Sequence, residues 1–254
     1  MKKTYVCVYK MKRDKHLICK GPGDDEFLFE EPLIKFFYKS FKSKEIFIIS
    51  PWVSTIELRK RKIIYYPYTS TTSLIEVFRA LTKNGVKVYI ATRCFDFIDD
   101  HLIAIAYNVA YDPHKYHINK ELEQYIKEEL VNVVRRTQTL LSINELSNVE
   151  LKFDTEQKLH SKVFINDFMA LMGSLNLTHY GMYRNYECII TTFREKDPET
   201  YDALREYAEK IMRKLCDLKT CESSVLKSLE SFLNIRLSRL RDLIEILEEI
   251  LRKI

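Results

Sequence analysis

Glycine is what this chain most lacks. It occupies only positions 21, 23, 85, 173 and 181 of 254, well below the usual share of ~7%. No G-x-G-x-x-G and no G-x-x-x-x-G-K-S/T can be written with those five, which excludes the backbone phosphate cradles of dinucleotide folds and P-loops. Phosphate, if handled, must be held by side chains. Long apolar runs are missing too. No stretch approaches the length needed to span a membrane, and no membrane partner is expected. The amino terminus opens like a signal peptide, but charge returns at Lys10, Lys12 and Arg13 before an apolar core can form. The six cysteines (7, 19, 94, 188, 216 and 221) contain no C-x-x-C. That scatter reads as buried thiols in a reducing cytoplasm rather than a disulfide or metal framework. The three glutamines, beside abundant Lys, Glu and Ile, resemble the usage of heat-adapted proteins.

What is present suffices for a packed domain: 46% hydrophobic and 30% charged residues. The net charge of +5 is unevenly spread. The first 93 residues carry nineteen basic and nine acidic side chains, a local excess of +10, so the positive field lies on one part of the molecule.

Periodicity predicts strands over 2–11 and 16–20, a helix over 30–41 and a buried strand over 45–50 closed by Pro51. A helix over 72–84, with Ser73 as cap and Gly85 just beyond its end, leads into a strand over 86–91. This strand–helix–strand alternation implies an α/β fold: a mixed, largely parallel β-sheet flanked by helices. Residues 95–148 read as a helical insertion, with 120–141 its surest part, before a strand over 149–153. Paired strands then precede a helix over 199–215. In the tail, Leu226, Leu233, Leu240, Leu247 and Ile254 recur every seven residues, with Leu229, Leu243 and Ile250 between them and Arg236 as the one break. That spacing suits one long helix of about 43 Å, paired as a coiled coil or folded back on its own domain. The chain is therefore divided into one domain over 1–221 and a C-terminal amphipathic helix over 222–254.

The chemistry concentrates in residues 158–191. On a strand, His160 and Lys162 share a face at ~6.6–7 Å spacing. An imidazole beside an ammonium suits a phosphodiester: the lysine neutralises phosphate oxygens and the histidine can attack phosphorus. If the chain returns as a hairpin, a three-residue turn over 166–168 brings Ser174 and Asn176 to the face of His160, whereas a two-residue turn at 166–167 does not. The three-residue turn or an equivalent bulge is expected. Asp167 lies too far along the strand for catalysis and reads as a turn residue. Glu187, on the next strand, is the natural partner for the far nitrogen of His160.

His160-x-Lys162-x4-Asp167, followed by Gly173-Ser174-x-Asn176 and Asn185-x-Glu187, resembles the HKD motif of the phospholipase D superfamily. Ile48–Trp52 and Leu81–Val88 are similar to that family as well. Two departures stand out: a gap of five residues from Asp167 to Gly173 where the family often has six, and the long segment around 95–148. The resemblance implies a phospholipase D-like fold and catalysis without metal or other cofactor. It implies a phosphohistidine on one histidine, with the leaving oxygen protonated by the histidine of a second motif. Since this chain has one motif, the resemblance points to a site shared across a homodimer. His160, Lys162, Asn176 and Glu187 would act catalytically there, and Lys162, Ser174 and Asn176 would bind phosphate. The heptad tail could reinforce that dimer.

That family includes lipid enzymes and nucleases, so the fold does not choose a substrate. Two features favour DNA or RNA as the partner. One is the basic amino-terminal third. The other is Arg59-Lys60-Arg61-Lys62 followed by Tyr65, Tyr66 and Tyr68, cations and rings in the composition of a nucleic-acid groove. Arg93, at the end of a strand, is a further candidate contact. A phospholipid hydrolase or phosphatidyltransferase, and a non-catalytic regulatory module, remain as alternatives. His114-x-x-His117 after Asp112 could bind metal, but such groups in a polar loop read as surface residues, and no metal is expected. His179 follows Asn176 closely enough to approach the site.

Overall fold

A computed structural model describes residues 7–10, 16–20, 29–58, 63–65, 69–94, 100–114, 116, 118–183, 185, 187–233 and 237–254. Its elements in chain order are β1 (Cys7–Lys10), β2 (His16–Lys20), α1 (Glu30–Ser40), β3 (Glu45–Ile49), β4 (Ile63–Tyr65), β5 (Thr69–Thr71), α2 (Leu74–Lys83) and β6 (Lys87–Arg93). These are followed by α3 (Asp100–Tyr111), α4 (Lys120–Asn144), β7 (Val149–Asp154), β8 (Lys162–Asn166), β9 (Met169–Gly173), α5 (His179–Tyr183), β10 (Glu187–Phe193) and α6 (Pro198–Lys214). Helices α7 (Leu218–Leu233) and α8 (Leu240–Lys253) end the chain.

Eight strands form one mixed sheet in the order β1-β2-β10-β9-β8-β3-β6-β7, and β4-β5 form a separate hairpin. Among the strand pairs of this sheet, β3–β6 and β6–β7 are parallel. The remaining sheet neighbours run antiparallel; β8–β9 is joined by a return too short for a crossover. Strand β3 shows how the sheet is buried. Ile46 and Ile48 enter one core with α1, α2 and the α3–α4 segment, whereas Phe47 and Ile49 enter another against Tyr201, Ala208 and Met212 of α6. Both faces are covered, which is why the strand reads as a continuous apolar run.

The tail departs from the expected single long helix. Residues 237–239 are not helical, and α8 packs on α4 and α3 of its own chain. Leu240, Leu243, Leu247 and Ile250 are almost wholly buried in the same core as the sheet. Heptad spacing thus serves intramolecular packing, and the apolar stripe is not left for a coiled-coil partner. The separation of a 222–254 unit is not seen in the packing.

The cysteines also differ from expectation. Cys19 pairs with Cys188 and Cys94 with Cys221, while Cys216 is a free thiol. Cys19 and Cys188 are directly opposite on β2 and β10; Cys94 and Cys221 are 127 residues apart. No local spacing announces either pair, since both depend on tertiary neighbours.

Candidate active site

The sheet's central strands end at a common edge where three loops meet: those after β3 and β6, and the segment between β7 and β8. Asp154, buried at the end of β7, organises the last of these. Its Oδ1 accepts from Glu156 N–H at 3.1 Å and its Oδ2 from Leu159 N–H, while its carbonyl accepts from Cys94 N–H at 2.9 Å. The resulting turn presents His160, which lies outside β8 and is exposed. The expected strand alternation therefore does not place His160; Lys162 opens the strand and His160 precedes it. Lys162 Nζ donates to the His160 carbonyl at 2.6 Å.

His160 faces Arg93, not Glu187. Arg93, 9% exposed, donates from Nε to the Leu159 carbonyl at 2.9 Å. Its Nη2 lies 2.7 Å from His160 Nε2 and 3.2 Å from Nδ1. The guanidinium also stacks over Trp52, 5.2 Å from the ring centroid. Glu187 is buried and receives Asn185 Nδ2 at 3.4 Å, and its charge acts on Lys162. Burial pushes the Lys162 ammonium below lysine's ordinary range; Glu187 opposes that fall and Arg93 adds to it.

The hairpin corrects the expected turn. Asn166 pairs with Met169 and Lys162 with Gly173, leaving a two-residue turn at Asp167-Phe168. Asn166 stays in the ladder because its own Oδ1 closes the turn, accepting from the N–H groups of Phe168 and Met169 at 3.0 Å each. Asp167 bonds Lys44 N–H at 2.7 Å and pairs with Arg205 at 3.4 Å. It lies at the opposite end of β8 from Lys162.

The chain bends after β9, so strand alternation does not place Ser174 and Asn176. At Gly173 an added Cβ would stand 2.0 Å from the Cys188 carbonyl of β10, so only glycine fits. The crowding comes from the neighbouring strand. Ser174 then both donates its N–H to the Cys188 carbonyl and accepts Cys188 N–H at Oγ, each at 2.9 Å. That engagement ties the expected phosphate ligand to β10. Asn176 is 7% exposed and its buried Oδ1 has no hydrogen-bond partner among the described residues. Its backbone is pinned from three sides. Ser50 Oγ accepts Leu177 N–H at 3.1 Å and donates to Trp52 O at 2.7 Å; Leu177 O accepts Ser54 N–H at 3.0 Å; and Gly181 packs so closely that a Cβ would meet Asn176 O at 2.5 Å.

Two grooves flank this edge. Asn176, Trp52, Asn185 and His179 line a cleft of about 540 Å³ whose far wall is α4. His160 lines the other, about 710 Å³, with Ser161, Tyr207 and Lys214. The Arg93–Trp52 stack joins them. Trp52, Ser50, Asp154 and the α4 residues were not among the candidate site residues; Ser50 and Trp52 lay within the Ile48–Trp52 segment similar to the family, while Asp154 and the α4 residues carried no signal.

The basic tetrapeptide Arg59, Lys60, Arg61 and Lys62, with Tyr66 and Tyr68, lies outside the described residues. Tyr65 is described and does not offer a free stacking face as expected: it stacks on Phe41 at 4.4 Å and meets Tyr38 edge-on at 5.6 Å. His117 of the candidate metal loop is also outside the described residues. Among the described residues no cluster of three or more His, Cys, Asp or Glu could hold a metal, and no helix is long and apolar enough to cross a membrane.

The model of the family described as "Cardiolipin synthase, PLD-like domain" matches residues 54–212. The chain belongs to the phospholipase D-like family. The matched span of this phospholipase D-like chain contains His160, Lys162, Asn176 and Glu187 together with both helices of the 95–148 segment. Similar solved structures include NucT from Helicobacter pylori, 13% identical over 80% of this chain and 98% of that one, with a TM-score of 0.44. Nuc from Salmonella typhimurium, a phospholipase D family member, is 14% identical over 73% and 89%, with a TM-score of 0.38. Phosphatidylserine synthase from Haemophilus influenzae is 14% identical over 96% and 49%, with a TM-score of 0.48. No curated protein sequence matches the chain.

Proposed function

We propose that this protein is a metal-independent phosphodiesterase that cleaves DNA or RNA through a phosphohistidine on His160, at a site completed by a second copy of the chain. The observation that carries this reading is the exposed imidazole held by the Arg93 guanidinium beside a partly desolvated Lys162. A guanidinium can only donate, so its bond to a ring nitrogen engages the kind of lone pair that attacks phosphorus. Neutral imidazole is the nucleophilic form.

When a phosphodiester enters, Arg93 transfers its donors from the ring to phosphate oxygens, and Lys162 and Asn176 hold the remaining charge. His160 Nε2 forms the bond to phosphorus as the bond to the leaving oxygen breaks. That oxygen takes a proton from the His160 of the second copy. Water then attacks phosphorus, giving its proton back to that second histidine, and the P–N bond breaks. One His-x-Lys motif per chain is the reason a twofold is needed. Nucleic acid is favoured by the +10 excess over the first 93 residues. It is favoured also by Arg59–Lys62, which begins two residues after Glu57, a residue that lines the same cleft as α4.

The test is cleavage of single-stranded DNA, duplex DNA, RNA and phosphatidylcholine in parallel, with excess chelator. Nucleic-acid cleavage that His160→Ala abolishes is expected. Full activity in His160→Ala, or complete inhibition by chelator, overturns the mechanism. Lipid turnover without nuclease activity moves the assignment to phosphatidyl transfer or hydrolysis, the reading favoured by the description of the matching family model. A monomeric full-length chain contradicts the shared site.

A further inference from the structure

The long helical segment before β7 has no part in the chemistry above, yet α4 forms one wall of the cleft that holds Asn176. We propose that this cleft seats an unpaired nucleotide flanking the scissile phosphate, with Arg135 of α4 taking a phosphate and Trp52 taking the base. The inference rests on the phosphodiesterase reading and names where its polymeric substrate lies.

Four observations converge. The volume of about 540 Å³ falls in the range of small-ligand sites. Arg135 projects from α4 into that lining, is exposed, and has no side-chain partner among the described residues. Asn176 lines the same cleft and keeps a buried Oδ1 without a partner among the described residues, an atom that gains by meeting a donor. Trp52 connects the cleft to the reactive histidine through Arg93, which touches both rings.

The charge pattern narrows the ligand. Arg135 and Arg136 are balanced by Glu57 and Glu129, so the lining is not a general trap for anions. A nucleotide fits such a mixture. Its phosphate meets arginine, its amino and ring N–H groups meet carboxylate and amide oxygens, and its π-face meets the indole. Bases in a duplex have both faces stacked and their pairing edges occupied, so the cleft selects single-stranded segments. Glu57 already accepts Thr72 Oγ1 at 2.8 Å, which holds that carboxylate at the rim.

Because Trp52 is the sole tryptophan, its fluorescence reads the cleft directly. The full-length His160→Ala variant, which cannot consume substrate, is titrated with a single-stranded oligonucleotide, a duplex of the same sequence and inorganic phosphate. Saturable change in Trp52 emission is expected with the single strand, weaker with duplex, and absent with phosphate. Adding Arg135→Glu weakens single-strand binding by about tenfold or more, as loss of a charge-assisted phosphate contact does. Asn132→Ala, from the same wall of α4, serves as the milder second variant and weakens it less. Unchanged emission, or equal affinity in both α4 variants, overturns the proposal. Emission changes in a protein whose wild type cuts no nucleic acid sink the catalytic reading and leave the cleft standing. Cleavage with an Arg135-independent affinity does the reverse.

Discussion

Arg93 binds two consecutive residues with one guanidinium: the carbonyl of Leu159 at 2.9 Å and the ring of His160 at 2.7 Å. Backbone and side chain of the turn are thereby fixed together, from a strand end that is itself buried. Arg93→Ala is expected to lower kcat/KM by about ten- to a hundredfold, as loss of positioning does. Arg93→Lys restores the charge but not the forked reach, and recovers only part. Oligonucleotide cleavage rates check this, and an Arg93→Ala enzyme as active as wild type contradicts it.

Lys162 must be protonated to neutralise phosphate, so its ionisation sets the alkaline limb of kcat/KM. Burial lowers its pKa first, Arg93 lowers it further and Glu187 raises it. Removing the carboxylate in Glu187→Gln withdraws the raising influence, so the limb moves to lower pH. Removing Arg93 moves it to higher pH. A pH–rate profile of each variant reads both signs, and shifts in the opposite directions refute the assignment of that limb to Lys162.

Gly173→Ala places a β-carbon against the Cys188 carbonyl at 2.0 Å. A backbone oxygen cannot swing away as a side chain can, so β9 and β10 must separate where Ser174 joins them. A loss of about 2–4 kcal/mol is expected, seen in calorimetry as a fall of several degrees in Tm. An unchanged Tm shows that the two strands can part at no cost.

The Cys94–Cys221 bridge closes a span of 127 residues. Chain entropy alone gives such a bridge about 4–5 kcal/mol of stabilisation. Non-reducing peptide mapping is expected to recover Cys94 and Cys221 in one disulfide-linked pair, and reductant to lower Tm. Recovery of both as free thiols under oxidising conditions refutes the pairing.

Leu247 is fully buried within the protein's own core. Leu247→Ala is therefore expected to cost about 2–5 kcal/mol in stability while leaving the oligomeric state unchanged by light scattering. Dissociation of an assembly by that substitution restores the coiled-coil alternative.

Legibility from sequence followed the range of the forces involved. Helix α4 is announced by its apolar period, and the structure caps it with Asn119, whose Oδ1 accepts Leu122 N–H at 2.8 Å. The buried strand β3 is announced by its apolar run, and the His160–Glu187 segment by its spacing. What failed depends on distant neighbours. Ser50 acts on Leu177 from 127 residues away, and Asp154 aims His160 through backbone bonds that no residue pattern encodes. The hairpin turn was misplaced because a single side-chain amide, Asn166, settles a choice that strand alternation leaves open. The heptads of the tail are the same whether a helix meets another chain or its own domain; only the interruption before Leu240 decides.

That tail lies directly behind the cleft wall. Helix α8 packs along α4, where Gln138 donates to Glu248 at 3.0 Å and Arg241 reaches Glu145 at 2.6 Å. Arg135 stands one turn before Gln138 on that helix. The end of the chain is thus a brace: a protein or ligand that lifted α8 would slacken the wall opposite Trp52 without touching a single reacting atom.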